Sequence, residues 1–476
     1  MLFNSFEFIF VFLPLVISIY FIINKFCPFW SAKFFLVIAS LLFYSFFKIS
    51  YLPLLITSIL VNYGFGTILN STRFSISESR HLKRKLFLII GVIFNVGLLG
   101  YFKYMGFFVN NLNAVFSTNF PITNILLPLG ISFFTFHQLA FLVDSYKGKL
   151  VHPGFLDYAN FVTFFPQLIA GPIVFPTEML PQFTNEKNRK LNYDNLSKGF
   201  MLFSLGLVKK VVIADSVAVF ARAGFDVVPE LNFSDAWLTS ISYALQLYFD
   251  FSGYCDMAIG IAWMFNINLP LNFNAPYKAQ DFQDFWRRWH ITLGRFMTQY
   301  LYIPLGGNRK GKIRTLINLM VVFLISGIWH GAGWTFIIWG FLHGMAILIH
   351  RLWKETGERL NSLISILSTF FFVNLFWIFF RSHSLTSAFK MIGKMFSGFE
   401  LRLSDSYKSN LPSLLPNKYN FILLLAGIVL IFFGKTAYEF TIEKYNSVSG
   451  RLVTVSFMVL GVLFLNRIVP FLYFNF

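Results

Sequence analysis

Charged side chains are scarce in this chain, at 13% of 476 residues, whereas 56% of the residues are hydrophobic. A water-soluble protein of this length needs more polar surface than this to cover its exterior. The mean hydropathy of +0.63 agrees with an exterior that faces lipid. The composition therefore excludes a soluble globular protein and predicts an all-α integral membrane protein surrounded by membrane lipids.

Cysteine is almost absent, with only Cys27 and Cys255 in the chain. Their context is apolar and their spacing is unlike that of metal sites, so we expect neither a disulfide nor a metal ligand. A serine nucleophile elbow, a Cys-His pairing and a metal cluster are also missing from the sequence. We therefore predict no metal centre and no permanently bound cofactor.

Acidic residues are also few, with 21 Asp and Glu against 39 Lys and Arg, which leaves a formal charge of +18. In a soluble chain this excess would suggest nucleic acid. In a membrane chain it indicates topology, because basic loops stay on the cytoplasmic side. We expect no nucleic-acid partner, and we expect three basic connections to face the cytoplasm: 73–85, 187–198 and 309–314.

Long apolar runs are abundant, and each span needs about 20 such residues. They predict about ten to twelve spans, near 6–24, 33–48, 51–70, 86–109, 126–144, 199–222, 236–264, 316–349, 366–380, 420–434 and 452–470. Stretches near 156–175 and 282–305 are interrupted by Pro, Gly and charges, which indicates re-entrant or interfacial segments. Polar stretches are too short for a soluble domain, so we predict one membrane domain over 1–476.

Polar residues concentrate between Gln246 and His343, which suggests a site in a region that is otherwise apolar. His330 lies in an apolar run from Leu316 to Ile349 that we expect to form one helix. The glycines around it would form a thin wall that lets a long substrate approach the imidazole. The alternative is a histidine that simply packs against a neighbouring helix.

A second histidine, His290, follows Trp286 by four residues, which predicts that both lie on one face of a helix. An interfacial anchor helix is the alternative. We expect His343 and His137 to be structural. A neutral histidine could take a proton from a hydroxyl group while that hydroxyl attacks a thioester. Asp250 and Asp256 do not share a helical face, so we expect each to bond a Tyr, Arg or His on another helix.

Several motifs in fixed order resemble the membrane-bound O-acyltransferase (MBOAT) family, within it the bacterial alginate O-acetyltransferase branch. They are FPQLIAGPI at 165–173, YFDFSGY at 248–254, FWRRWH at 285–290, YIPLGGNR at 302–309 and WHG at 329–331. The resemblance implies a ring of tilted helices with a central tunnel. It also implies that His330 is the catalytic base and that His290 is an orienting or polarising partner.

The last residues, 470–476, read PFLYFNF and resemble a Phe-Ile-Tyr-Phe-x-Phe tail of related acyltransferase systems. In those systems the tyrosine is thought to carry the acyl group between enzymes. This resemblance implies that Tyr473 accepts acetyl at His330 and presents it outside the membrane. An aromatic anchor at the membrane interface is the alternative.

These features together predict a multi-pass O-acyltransferase of the cytoplasmic (inner) membrane. We expect it to pass acetyl from acetyl-CoA to an extracytoplasmic SGNH/GDSL-type acetyltransferase that modifies a polysaccharide or peptidoglycan. Candidate donor-binding residues are Trp329 and the basic turn, in which Arg309, Lys310 and Lys312 could attract CoA phosphates. The alternatives are a flippase of a lipid-linked sugar and an acyltransferase with a long-chain donor for lipid or protein.

Overall fold

The computed structural model describes residues 1–70, 78–121, 125–358, 360–411, 417–465 and 471–472. Every regular element in these ranges is helical, which confirms the all-α prediction. The chain divides into two compact units. The first comprises Met1–Phe203 and Met257–Pro270, and the second comprises Ser204–Asp256 and Leu271–Phe476.

The first unit contains the N-terminal helices, and some of its interior polar groups pair with one another. Asn62 and Asn95 exchange amide hydrogen bonds, and Lys33 forms an ion pair of 2.6 Å with Asp157. Such pairing is what buried polar groups require. The helices are α1 (Leu13–Phe26), α2 (Phe29–Ser45), α3 (Leu52–Asn70), α4 (Glu78–Leu99), α5 (Met105–Phe116), α6 (Ile131–Tyr146), α7 (Phe155–Thr163), α8 (Phe165–Leu168), α9 (Pro176–Thr184) and the first part of α10 (Tyr193–Val208).

The second unit carries the polar motifs of the sequence. Its helices are α11 (Asp215–Arg222), most of α12 (Phe233–Met264), α13 (Phe282–Arg288), α14 (Ile291–Met297), α15 (Lys312–His330), α16 (Trp334–Glu355), α17 (Ser362–Arg381), α18 (Leu385–Met395), α19 (Asp405–Ser409), α20 (Asn417–Phe433), α21 (Ala437–Lys444) and α22 (Val448–Leu463). A π-helical segment, Lys209–Ala214, precedes α11.

Six helices of the described residues are long and apolar enough to cross a membrane, or seven if the bent pair in 419–444 counts as one span. The six are Glu7–Phe26, Ile49–Asn70, Leu82–Phe116, Lys312–His330, Trp334–Glu355 and Ser362–Arg381. The multi-span prediction is confirmed, although fewer helices meet this standard than the ten to twelve predicted runs. The α6 helix illustrates why, because its 16 residues are fewer than the roughly 20 that a span needs.

The apolar run at 316–349 forms two helices, so the prediction of one continuous helix was wrong. The α15 helix ends at His330, and α16 begins at Trp334. Gly331 and Gly333 between them are extended. A Cβ atom at position 331 would lie 2.1 Å from the Phe336 ring, so a larger residue would force that ring to move. His330 therefore stands at a helix end.

Short helices occupy the two stretches that Pro, Gly and charges interrupt in the sequence. The α7 and α8 helices lie in the first stretch and α13 and α14 in the second, each with nine residues or fewer. Helices this short cannot cross a bilayer by themselves. The interruption is as predicted, and the re-entrant placement stays a prediction.

Candidate active site

His330 lies in a cage of aromatic rings at the end of α15, and its side chain is 3% exposed. Its ring centroid is 4.8 Å from Trp329, 5.1 Å from Trp339 and 5.2 Å from Phe380, all edge-on. Trp339 belongs to α16 and Phe380 to α17. Three helices thus surround the imidazole with apolar surface, which shields a reacting group from bulk water.

His290 lies at the break between α13 and α14, not on the helical face shared with Trp286 that its spacing predicts. Its φ angle is +44°, in the left-handed region. This conformation is uncommon for a residue other than glycine, and it ends the helical run after Arg288. The side chain is buried, with 1% exposure. Backbone strain of this kind occurs often at functional sites, and here it redirects the imidazole.

The imidazole of His290 is held by Asn272. Its Nδ1 lies 3.0 Å from Asn272 Oδ1, which also accepts hydrogen bonds from the Thr292 backbone N–H and hydroxyl. Because a backbone N–H needs an acceptor, this atom is the amide oxygen, and His290 Nδ1 must donate. Burial lowers the pKa of His290 to about 3, so the ring is neutral and Nε2 is its acceptor nitrogen.

The two candidate histidines lie next to each other. The ring centroids of His290 and His330 are 6.3 Å apart, and Trp329 lies beside both, with its ring 6.1 Å from that of His290. One substrate hydroxyl or thioester could approach both imidazoles at this separation. The structure therefore brings together three of the predicted site residues, while their individual roles stay predictions.

Asn272 was not singled out from the sequence, although it lies in the NFN stretch of the polar region. His343 accepts a hydrogen bond of 3.2 Å from Trp286 Nε1 and is fully buried among aromatic rings, which fits the structural role expected for it. Within the described ranges, no three His, Cys, Asp or Glu side chains are placed to hold a metal ion.

The glycines near His330 serve helix packing, so the predicted glycine wall for substrate was a wrong interpretation at two positions. A Cβ atom at Gly327 would lie 2.4 Å from the Phe336 carbonyl oxygen and 3.2 Å from the Gly340 Cα. The space at Gly331 is filled by the Phe336 ring. These glycines allow α15 and α16 to approach closely, as small residues do between membrane helices.

Alanine at position 327 should destabilise the protein, because no flexible side chain can move out of its way. Overpacking of this kind costs about 1–3 kcal/mol of the free energy of unfolding. Thermal unfolding of the purified protein in detergent measures the effect. The control is Gly393→Ala, since the Cβ position of Gly393 is open and alanine favours the helix. Equal melting temperatures for the two variants would contradict this account of the helix pair.

The basic turn does not lie beside the histidines. Arg309 and Lys310 are exposed, and Lys312 forms an ion pair with Glu355. Lys312 begins α15 and His330 ends it. At 1.5 Å per residue, the two are separated by about 27 Å along the helix axis. Only Trp329, among the candidate donor-binding residues, lies in the aromatic cage.

Tyr473 lies outside the described residues, but the two residues before it are placed. Leu472 donates its backbone N–H to Asp250 Oδ2 at 3.0 Å, and Phe471 is buried. Asp250 and Asp256 pair with Lys210 and Lys209. The predicted Tyr, Arg or His partners were therefore wrong, because the lysines extend from the neighbouring π-helical segment.

A family comparison decides what kind of protein contains this site. The model of the MBOAT, membrane-bound O-acyltransferase family matches residues 38–389, which include both histidines. The chain belongs to the membrane-bound O-acyltransferase family. The resemblance drawn from the motifs is thus confirmed, and the chain is an O-acyltransferase of this membrane family.

Individual members of the membrane-bound O-acyltransferase family are similar over most of the chain. A peptidoglycan O-acetyltransferase of Helicobacter pylori is 50% identical over 426 residues, covering 83% of this chain and 80% of the relative. A probable alginate O-acetylase AlgI of Pseudomonas putida is 38% identical, covering 91% and 87%. A teichoic acid D-alanyltransferase of Bacillus subtilis is 26% identical, covering 54% and 70%.

Proposed function

We propose that this enzyme passes acetyl from cytosolic acetyl-CoA across the cytoplasmic membrane to an SGNH/GDSL-type acetyltransferase, which O-acetylates peptidoglycan. The observation that carries the proposal is the pairing of His290 and His330 in one buried aromatic cage. Identity is higher to the relative named for peptidoglycan, at 50%, than to the one named for alginate, at 38%. This difference favours peptidoglycan over another polysaccharide as the final acceptor.

In the proposed reaction, His330 takes the proton of the Tyr473 hydroxyl as the phenol oxygen attacks the thioester carbonyl. A phenol has a pKa of about 10 and needs such a base at neutral pH. The C–S bond breaks, and the leaving thiolate receives the proton from His330. The products are an acetyl ester on Tyr473 and free CoA. The partner's hydroxyl then takes the acetyl group and restores the phenol.

His290 is proposed as a positioning residue in this reaction. Polarising a carbonyl requires an N–H donor, whereas the hydrogen bond from Nδ1 to Asn272 leaves Nε2 as an acceptor. We therefore favour the orienting role over the polarising one. The pantetheine arm of acetyl-CoA carries amide N–H groups, and one of these could donate to Nε2 and place the thioester beside His330.

The donor must reach His330 from the cytosol. The basic turn lies at the far end of α15, about 27 Å away along the helix, and the pantetheine arm separates the CoA phosphates from the thioester. An extended donor could place its phosphates near Arg309 and Lys310 while its thioester lies deeper. This arrangement requires a passage along α15, which is part of the proposal.

Charge reversal at Arg309 and Lys310 together should weaken the binding of acetyl-CoA. Hydrogen bonds to charged groups contribute about 1.5–3 kcal/mol, so the KM for acetyl-CoA should rise roughly tenfold or more with little change in kcat. The matched control is reversal of the exposed Lys444 and Arg451. Lys312 is retained because it pairs with Glu355. Equal KM values for both double variants would end the proposed phosphate contact.

Thiol release by the purified enzyme in liposomes tests the proposed function. Acetyl-CoA with the partner should release free CoA, and peptidoglycan from cells with the enzyme should carry base-labile acetate. Faster release from a long-chain acyl-CoA would instead favour the lipid or protein acyltransferase. Movement of a lipid-linked sugar without thiol release would favour the flippase.

A further inference from the structure

A cluster of three charged side chains is buried in the second unit. It is separate from the contacts described above for His290 and His330. Lys210 Nζ lies 2.7 Å from Asp215 Oδ1 and 2.6 Å from Asp250 Oδ1. The three side chains are between 1% and 3% exposed. Burying charges carries a large desolvation cost even when they are paired. Such a buried cluster in a membrane protein indicates a specific use.

Phe471 and Leu472, the described part of the C-terminal segment (residues 471–476), contact this cluster. The second carboxylate oxygen of Asp250 accepts the Leu472 backbone N–H at 3.0 Å. The Phe471 ring lies 4.9 Å from Lys210 Nζ, a cation–π contact, and 4.7 Å edge-on from the Tyr254 ring. Phe471 is 1% exposed. Both described residues of the segment therefore contact the cluster or the helix that carries it.

The same helix also contacts the histidine site. Phe251 follows Asp250 on α12, and its ring lies 4.9 Å edge-on from His290. Successive residues of α12 thus hold the C-terminal segment and pack against the active-site histidine. Lys210 belongs to the π-helical segment Lys209–Ala214. π-Helical turns often occur at functional positions.

We infer that the Lys210–Asp215–Asp250 cluster is the anchoring site of the chain's own C-terminal segment, and that it positions the next residue, Tyr473, for acyl transfer. This inference rests on the proposed carrier function of Tyr473. Asp250 recognises a backbone N–H, so the contact requires a donor at position 472 and not a particular side chain. Lys210 recognises an aromatic ring at position 471. All three charged residues act here as positioning residues.

Thiol labelling of the C-terminal segment tests the anchoring. A cysteine is introduced by Asn475→Cys in a Cys27→Ser background, which removes the exposed native thiol while Cys255 stays buried. The rate of maleimide modification is measured by mass spectrometry on the full-length protein in detergent. Leu472→Pro removes the donated N–H without changing the cluster. We expect it to raise the labelling rate at least tenfold, whereas Leu472→Ala, which keeps the N–H, should stay within twofold.

Asp250→Asn provides a second variant, and Asp256→Asn is its matched control on the same helix. Both weaken one Lys–Asp pair, and of the two only Asp250 contacts the described residues 471–472 of the C-terminal segment. We expect faster labelling and a lower kcat, with an unchanged KM for acetyl-CoA, only for Asp250→Asn. Equal labelling rates for Leu472→Pro and Leu472→Ala would overturn the anchoring site.

Failure of the anchoring site and failure of the carrier function of Tyr473 give different results. If Leu472→Pro exposes the segment but Tyr473→Phe keeps full acetylation, the anchoring is supported and the carrier function is wrong. If Tyr473→Phe abolishes acetylation but Leu472→Pro labels no faster than Leu472→Ala, the carrier function stands and the anchoring is overturned.

Discussion

Alanine at position 330 is expected to lower acetyl transfer by about 10²–10⁴-fold, the usual contribution of a general base. The imidazole lies within aromatic surface from three helices, so water cannot easily replace it as the proton acceptor. The loss should appear in both kcat and kcat/KM, because deprotonation belongs to the transition state and not to donor binding. Free CoA released per enzyme molecule measures it.

The control for this substitution is His343→Gln. His343 lies in the same aromatic region and accepts a hydrogen bond from Trp286, a bond that the glutamine carbonyl could also accept. This variant should keep most of the activity. Full activity of His330→Ala at normal protein levels would refute the assignment of the base.

Both candidate histidines were chosen from their motifs, but their backbone conformation could not be predicted in this way. A span needs about 20 residues, and the run at 316–349 is long enough for two helices and a turn. Its apolar character continues through Gly331 and Gly333, so hydropathy contains no signal for the break. The return of the chain depends on the packing of Gly327 against Gly340, a contact between residues that only the fold brings together.

The number of spans was harder to predict than the fold class. Hydropathy measures how apolar a run of residues is, but not where a helix begins and ends within that run. The run at 126–144 appears as a predicted span, yet α6 begins only at Ile131 and has 16 residues. The residues before it, 125–130, are not helical. The helix boundary depends on tertiary packing that no local window contains.

Asn272 is a second case, within the site, of a tertiary contact that the sequence does not identify. Its amide oxygen receives hydrogen bonds from His290 Nδ1 and Thr292, and its Nδ2 donates to Cys255 Sγ at 3.3 Å. Many asparagines in a membrane chain could serve this role, and the sequence does not say which one reaches the imidazole. The partners of Asp250 and Asp256 were wrong for the same reason.

Phenylalanine at position 473 should reduce acetylation of the polymer to background, because it removes the only atom that can accept the acyl group in the proposed relay. The aromatic ring remains, so an interfacial anchor would be preserved. Base-labile acetate in purified peptidoglycan measures the final product. Mass spectrometry of the C-terminal peptide, which should carry one acetyl group in the parent enzyme and none in the variant, measures the intermediate.

The control is Tyr419→Phe, which removes a hydroxyl from an exposed tyrosine of the second unit. This variant should acetylate the polymer normally. Acetylation that persists in Tyr473→Phe would mean that the acyl group passes directly from the thioester to the partner's hydroxyl. His330 would then deprotonate that hydroxyl, and the partner would have to reach the aromatic cage itself. The two routes differ chemically, because only the relay leaves an acetyl ester on this chain.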